Sequence, residues 1–254
     1  MAYSIMLDAG HGGQDPGAVY KGRQEKDDNL KLTLAVGEIL KNNGIDVSYT
    51  RTTDVYQTPF EKAQLANKAG VDYFISFHRN SSPTDNQYNG VEVLVYDKSG
   101  IKYQMAENIV GALGELGFRE IGVRERPGLV VLRRTRMPAL LIETGFINSD
   151  QDNQMFDEMF EKIAQSIADA ILGTLDEETV EEPLYYRVQT GAFRNKENAD
   201  RMLYELLEKG YPSFLLYEDG VYKVQTGAYQ QIGNAINMEQ RLRSDGYSTL
   251  IVTK

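Results

Sequence analysis

The last third of the chain repeats itself, and no other feature restricts its fold as tightly. Arg187-Val188-Gln189-Thr190-Gly191-Ala192-Phe193 returns as Lys223-Val224-Gln225-Thr226-Gly227-Ala228-Tyr229, and Gly210-Tyr211 returns as Gly246-Tyr247. Both matches carry the same offset of 36 residues, 188 to 224 and 210 to 246. Two ends of a unit agreeing on one period mark a structural repeat. Each copy reads as a strand, a helix (199–207 and 235–242), a glycine turn and a second strand. Two copies make βαββαβ, the ferredoxin-like split βαβ arrangement. The helices are expected to cover one face of a four-stranded sheet and leave the other open. Strand alternation then sets Val188 and Val224 under the helices, with Gln189 and Gln225 on the open face.

Residues 1–175 follow another rhythm. Apolar runs at 4–7, 46–50, 73–77, 91–96 and 139–142 read as strands. Between them Leu32, Ala35, Val36, Ile39 and Leu40 mark a helical face that stops at Gly44, and Ile101, Met105, Ile109 and Leu113 mark a second. Phe156, Phe160, Ile163, Ile167 and Ile171 mark a third, longer helix. This alternation predicts an α/β layer fold with a mixed, largely parallel sheet flanked by helices. The acidic run 176–184, with Pro183 near its end, lacks helical periodicity and reads as a linker to a second domain at 185–254.

Composition removes several classes of function. Cysteine is absent, which excludes disulfides, thiolate zinc sites and thiol nucleophiles. A net charge of −10 argues against a nucleic-acid partner, since phosphate contact needs clustered Lys and Arg, and against adhesion to anionic membranes. Apolar runs such as 138–142 are too short to span a bilayer, so no membrane insertion is expected. The start of the chain has no basic segment followed by an apolar one, so synthesis in the cytoplasm without a secretory signal is expected.

The chain has two histidines, His11 and His78, and each directly follows a predicted strand. A third predicted strand ends at Glu143. In open α/β sheets the carboxyl ends of strands line the ligand crevice, so three such residues can share one cleft despite wide sequence separation. Two imidazoles and a carboxylate, with a position left for water, are the ligand set of a catalytic zinc ion. The carboxylate must come from a nearby loop, and spacing alone fits Glu25, Asp15, Asp27 and Asp28 equally.

His11-Gly12-Gly13 with Asp15 and Gly17-Ala18, then Glu25, then Ser76-Phe77-His78, then Pro138-Ala139-Leu140-Leu141-Ile142-Glu143-Thr144-Gly145-Phe146 resembles the zinc-dependent N-acetylmuramoyl-L-alanine amidases, the type-3 amidase family. The likeness covers roughly residues 4–172, with four motifs in the family's order. It implies one Zn2+ ion held by His11, Glu25 and His78, with Glu143 as the catalytic carboxylate. It also implies the bond cut, the amide between N-acetylmuramic acid and L-alanine of the peptidoglycan stem peptide. Where the family often has His-Ala-Asn, this chain has His78-Arg79-Asn80, and Arg79 and Asn80 are expected at the cleft rim as substrate contacts.

Residues 187–254 resemble the SPOR domain family, which binds peptidoglycan; the likeness rests on the paired Val-Gln-Thr-Gly-Ala-aromatic motifs. Amides and aromatics suit sugar hydroxyls and apolar ring faces, so Gln189 and Gln225, with nearby Tyr222 and Tyr229, are the expected glycan contacts on the open face. The expected protein is thus a peptidoglycan hydrolase, an endolysin or autolysin that reaches the wall after lysis or through a membrane lesion. A zinc peptidase cutting within the stem peptide shares the same metal chemistry. A non-catalytic wall-binding protein on the same fold would be expected to have lost a ligand.

Overall fold

The computed structural model describes residues 3–180 and 185–253. Two compact units divide the chain, Met1–Glu178 and Thr179–Lys254. The first runs β1 (Ser4–Ala9), β2 (Val19–Tyr20), β3 (Arg23–Gln24), α1 (Glu25–Asn42), β4 (Asp46–Tyr49), α2 (Pro59–Ala69), β5 (Tyr73–Asn80), β6 (Val91–Val95), α3 (Gly100–Glu115), β7 (Glu120–Glu125), α4 (Val130–Arg133), β8 (Ala139–Phe146), α5 (Asp150–Glu158) and α6 (Phe160–Val180). Its main sheet has six strands in the order β4-β1-β5-β8-β6-β7. The first four are parallel, β6 runs antiparallel to β8, and β7 follows β6 in parallel. This is the mixed, mostly parallel sheet that the strand–helix alternation predicts.

Period-two alternation gives the sheet two unlike faces. One carries Ile5, Leu7, Ile75, Phe77, Val93, Leu140 and Ile142, which pack with apolar residues of α1, α3 and α6 into the main core. The other carries Met6, Phe74, Leu94 and Leu141, covered by Ala66 of α2 and by Val131 and Leu132 of α4. Along this second face the apolar set stops halfway. The next residues on it are Asp8 beside Ser76, then His78 beside Glu143, then Glu143 beside Glu92. The carboxyl ends of β1, β5 and β8 therefore present a polar floor where α2 and α4 no longer cover the sheet.

That floor rests on a buried ion pair. Asp8 and Lys62 are 1% and 3% exposed, and Lys62 Nζ lies 2.8 Å from Asp8 Oδ1. Thr50 and Ser76 donate to the two Asp8 oxygens at 2.6 and 2.7 Å. Burial pushes the Asp8 carboxyl up, but the Lys62 ammonium and these hydrogen bonds hold it below its ordinary range. Lys62 comes from α2, whose start is fixed by Pro59 and by a reciprocal Thr58–Glu61 capping box.

Three boundaries differ from the sequence reading. His78 and Glu143 lie inside strands, since β5 continues to Asn80 and β8 to Phe146. The expected third helix is two, α5 and α6, separated at Met159. Phe156 and Phe160 still meet edge to face at 5.6 Å across the break, which preserves the apolar periodicity of one helix. Finally, residues 176–180 are helical rather than linker. The apolar stripe ends at Leu175, but Asp, Glu, Thr and Val extend an existing helix at small cost, so loss of periodicity there does not end the helix. Residues 181–184 of the expected linker lie outside the described residues. Among the described residues no helix is long and apolar enough to cross a membrane.

The second unit runs β9 (Tyr186–Phe193), α7 (Lys196–Glu208), β10 (Ser213–Glu218), β11 (Val221–Tyr229), α8 (Ile232–Ser244) and β12 (Leu250–Thr253), the βαββαβ order of the repeat. Its antiparallel sheet is ordered β10-β11-β9-β12. Val188 and Val224 are fully buried with Ala199 and Leu206 of α7 and Ala235 and Leu242 of α8. Gln189 and Gln225 sit opposite each other on the other face.

Tyr222 and Tyr229 do not join them there. Tyr222 shares the parity of Val224, and both tyrosines pack against the helix-side core. Tyr229 arrives through a bulge, where β11 places two residues against Arg187 between the pairs Thr226–Val188 and Tyr229–Tyr186. β9 bulges at the same motif, with Thr190 the extra residue. A bulge shifts side-chain parity by one, which turns Phe193 and Tyr229 inward. The motif glycines make room for these aromatics: a Cβ on Gly191 would lie 2.5 Å from the Phe193 ring, and one on Gly227 2.2 Å from Tyr229 Oη.

Candidate active site

Three elements bring one cluster together. His11 lies in the turn after β1 and takes φ of +60°, a left-handed conformation uncommon outside glycine. Two buried cations hold that turn by the carbonyls before it. Arg51 Nε and Nη2 donate to Ala9 O and Gly10 O at 3.1 and 3.0 Å, and Lys62 Nζ donates to Ala9 O at 2.6 Å. Glu25 is the first residue of α1, and His78 projects from β5 on the polar half of the sheet face. One ligand atom from each of His11, Glu25 and His78 lies within 4.8 Å of the others, the geometry of a cation site.

Glu25 is the hub of this cluster. Its Oε2 lies 3.1 Å from His11 Nε2 and its Oε1 2.8 Å from His78 Nδ1. Ala18 N, Asn29 Nδ2 and Arg79 N donate to it as well, at 2.9, 3.1 and 3.2 Å. Burial pushes the Glu25 carboxyl up, but the two imidazoles beside it hold it far below the usual carboxylate range. His11 Nδ1 lies 2.8 Å from Asp15 Oδ2, so Asp15 fixes the ring from its far side. Burial lowers the proton affinity of His11, while Glu25 and Asp15 together raise it above the ordinary histidine value.

The alternatives left open by spacing now separate. Asp15 orients His11, and Asp28 Oδ2 accepts from Arg23 and Arg79 at 2.7 and 2.6 Å. Asp27 is outside the cation-binding group. The surrounding backbone is shaped to this cluster. A Cβ on Gly10 would lie 2.3 Å from His78 Cε1, and one on Gly17, at φ +65°, would lie 2.5 Å from Glu25 Oε2. Two imidazole nitrogens and a carboxylate, cradled this closely, fit a tetrahedral zinc ion with one open position.

Glu143 stands beside the cluster as the neighbour of His78 in the sheet. Its Oε2 is buried with no hydrogen-bond partner among the described residues. Burial, followed by the charges of Glu25 and Glu92, raises its carboxyl well above the ordinary value. Glu92 is the group that sequence reasoning missed. It is buried on β6 directly across from Glu143, with Asn80 Nδ2 donating to Oε1 at 2.6 Å and Arg124 Nε 3.1 Å from Oε2. The available signal was one acid in Val91-Glu92-Val93-Leu94-Val95, a strand otherwise wholly apolar.

Of the two expected rim residues, Arg79 is not at the rim. It is 2% exposed, alternates away from His78 to the opposite face of the sheet, and donates to Asp28 at 2.6 Å and to Asn153 at 2.8 Å. Its guanidinium lies 4.3 Å over the Phe156 ring, and burial pushes its pKa down to about 10. Asn80 does share the face of His78, with its amide committed to Glu92. Here the large side chain after the second histidine is a strut beneath the sheet, tying β5 to α1 and α5.

Known proteins carry the same pattern. A family model described as N-acetylmuramoyl-L-alanine amidase matches residues 5–173, and a SPOR domain model matches residues 183–253. The chain is 32% identical over 221 residues to the sporulation-specific N-acetylmuramoyl-L-alanine amidase of Bacillus subtilis strain 168, a match covering 85% of each chain. It is 31% identical over 183 residues to the endolysin of Bacillus phage SPP1, covering 69% of this chain and 67% of the endolysin. The solved N-acetylmuramoyl-L-alanine amidase of Clostridium difficile 630 matches with a TM-score of 0.66 at 32% identity, covering 70% of this chain and 98% of that one. By its sequence and its fold, the chain belongs to the N-acetylmuramoyl-L-alanine amidase family, with a SPOR domain following the amidase domain.

Proposed function

We propose that the protein is a zinc-dependent peptidoglycan hydrolase that cleaves the amide between N-acetylmuramic acid and L-alanine of the stem peptide. The observation that carries this reading is the triangle of His11, Glu25 and His78 beside the unpartnered oxygen of Glu143. The chemistry that a zinc ion supplies in such a set is Lewis acidity, toward a water and toward the scissile carbonyl. The chain's own groups do the rest. Asp15 keeps the His11 imidazole oriented from its far side, as outer partners do for metal-binding histidines. Glu143, with a high proton affinity and nothing bonded to Oε2, takes the proton of the attacking water and returns it to the leaving nitrogen. General acid–base transfer of this kind contributes about 10²–10⁴-fold.

On this reading the stem peptide occupies the cleft and the glycan strand lies on the second unit. Gln189 supports the latter, part-exposed on a face that also carries Phe214, with the Arg187 guanidinium 5.8 Å over its ring; Gln225 across from it is only 4% exposed, contrary to the expected open contact. Likeness to a sporulation-specific amidase and to a phage endolysin supports action on the wall after lysis or through a membrane lesion. The test is digestion of purified peptidoglycan with and without a zinc chelator, followed by mass spectrometry of the fragments. Chelator-sensitive release of peptides with a free L-alanine amino terminus is the expected result. Cuts within the peptide would replace the amidase by a peptidase, and no release by zinc-loaded protein would leave a binding protein.

A further inference from the structure

A cavity of about 390 Å³ opens between β6, β7 and the end of β8, walled by Tyr88, Glu92, Arg119, Ile121, Arg124 and Phe146. It shares a wall with the reaction centre. Glu92 pairs with Glu143 on one side and with Gly122 of β7 on the other, and Arg124 lies two residues on from Gly122 on the same sheet face.

The charges on that wall are unlike those of the cluster next to it. Glu25, Glu92 and Glu143 place three carboxyl groups at the cleft, whereas two guanidinium groups line the adjoining wall. Arg119 is exposed and makes no side-chain hydrogen bond or ion pair among the described residues. Arg124, half exposed, meets Glu92 through Nε, and its terminal nitrogens make no hydrogen bond among the described residues. A guanidinium held at one edge and open at the other suits a carboxylate, which it can receive in a planar, two-point contact. Tyr88 and Phe146, with ring centroids 6.2 Å apart, add an apolar wall for an aliphatic stem.

Resting on the amidase reading above, we infer that this cavity is a subsite that binds a carboxylate on the peptide side of the scissile amide. The bond itself argues for that side. The carboxyl of N-acetylmuramic acid is consumed in the amide and its amino group is acetylated, so the sugar half offers no anion. The peptide half, which retains free carboxylates, does.

The test compares two synthetic muramoyl peptides that differ only in a carboxylate or a carboxamide on the residue after L-alanine, using the full zinc-loaded chain. The expected kcat/KM ratio of acid to amide is about tenfold, carried mainly in KM, the size of one charge-assisted hydrogen bond. Arg119→Gln and Arg124→Gln should each draw the ratio toward one, and Arg119→Glu should invert it, with melting curves checking that each variant folds. A wild-type ratio near one, or a ratio unchanged in both glutamine variants, overturns the subsite. Cleavage of neither peptide by the wild type overturns the amidase reading, and the subsite with it.

Discussion

The two units place polar groups on a β-sheet in opposite ways. In the first, half of one sheet face is polar, and its charges are buried and tied to one another: Asp8 to Lys62, Glu25 to two histidines, Glu92 to Asn80 and Arg124. In the second, the helix side is closed largely by valines, leucines and inward-turned aromatics, joined by the bonded Ser213–Thr226 pair, while Gln189 and Gln225 lie on the face away from the helices. A buried network loses much when one member goes, because its partner is left uncompensated. A face carrying several comparable contacts loses little at each. Single substitutions should therefore be severe in the first unit and graded in the second.

The largest effect should come from Glu143→Gln. Turnover should fall about 10²–10⁴-fold while zinc content and the melting curve stay near wild type, measured by metal analysis and calorimetry. Near-native turnover would remove Glu143 from the chemistry. Next is Lys62→Met, expected to destabilise the first unit by about 3–5 kcal/mol at neutral pH by leaving Asp8 buried and unpaired. The folded Asp8 pKa lies below its ordinary 3.8, so the pair contributes fully above that value and is lost as pH falls through the lower, folded one. Urea midpoints of wild type and variant should therefore converge on acidification; a constant gap would show that the charge pair is not what Lys62 contributes.

Asp15→Ala should weaken zinc binding about 10–100-fold by competitive chelation, through freedom of the His11 ring, without unfolding the chain. The smallest effect belongs to the second unit. Gly227→Ala places a Cβ at φ +66° against the Tyr229 hydroxyl, and should cost that unit about 1–3 kcal/mol by chemical denaturation, with turnover on a soluble muramoyl peptide unchanged. A loss of turnover as large as that of Glu143→Gln would break the contrast between the units.

What could be read in the sequence follows from how local each signal is. His11, His78 and Glu143 stood out because a polar residue after an apolar run marks the end of a strand's buried stretch. Glu25 did not, since four carboxylates share its stretch of chain; its place at the first residue of α1, facing both histidines, is a tertiary fact. Arg79 was misplaced because it follows His78 in sequence, although period two sends it through the sheet to Asp28. Tyr222 obeyed that same period, and Tyr229 escaped it only through a bulge that residue type does not announce. The end of α6 was hidden because a helix needs an apolar stripe to dock, not to continue.

The pairing of Gln189 with Gln225, with matching bulges in both motifs, has a consequence for any polymer lying on that face. The two halves of the unit are related by an approximate two-fold axis passing between β9 and β11, and the two amides straddle it. Full symmetry would offer the same donors and acceptors to a strand running in either direction, but Gln189 is part-exposed and Gln225 only 4% exposed. A glycan has chemically distinct ends, so any sense of direction in the grip must come from positions where the halves differ, beginning with Arg187 against Lys223.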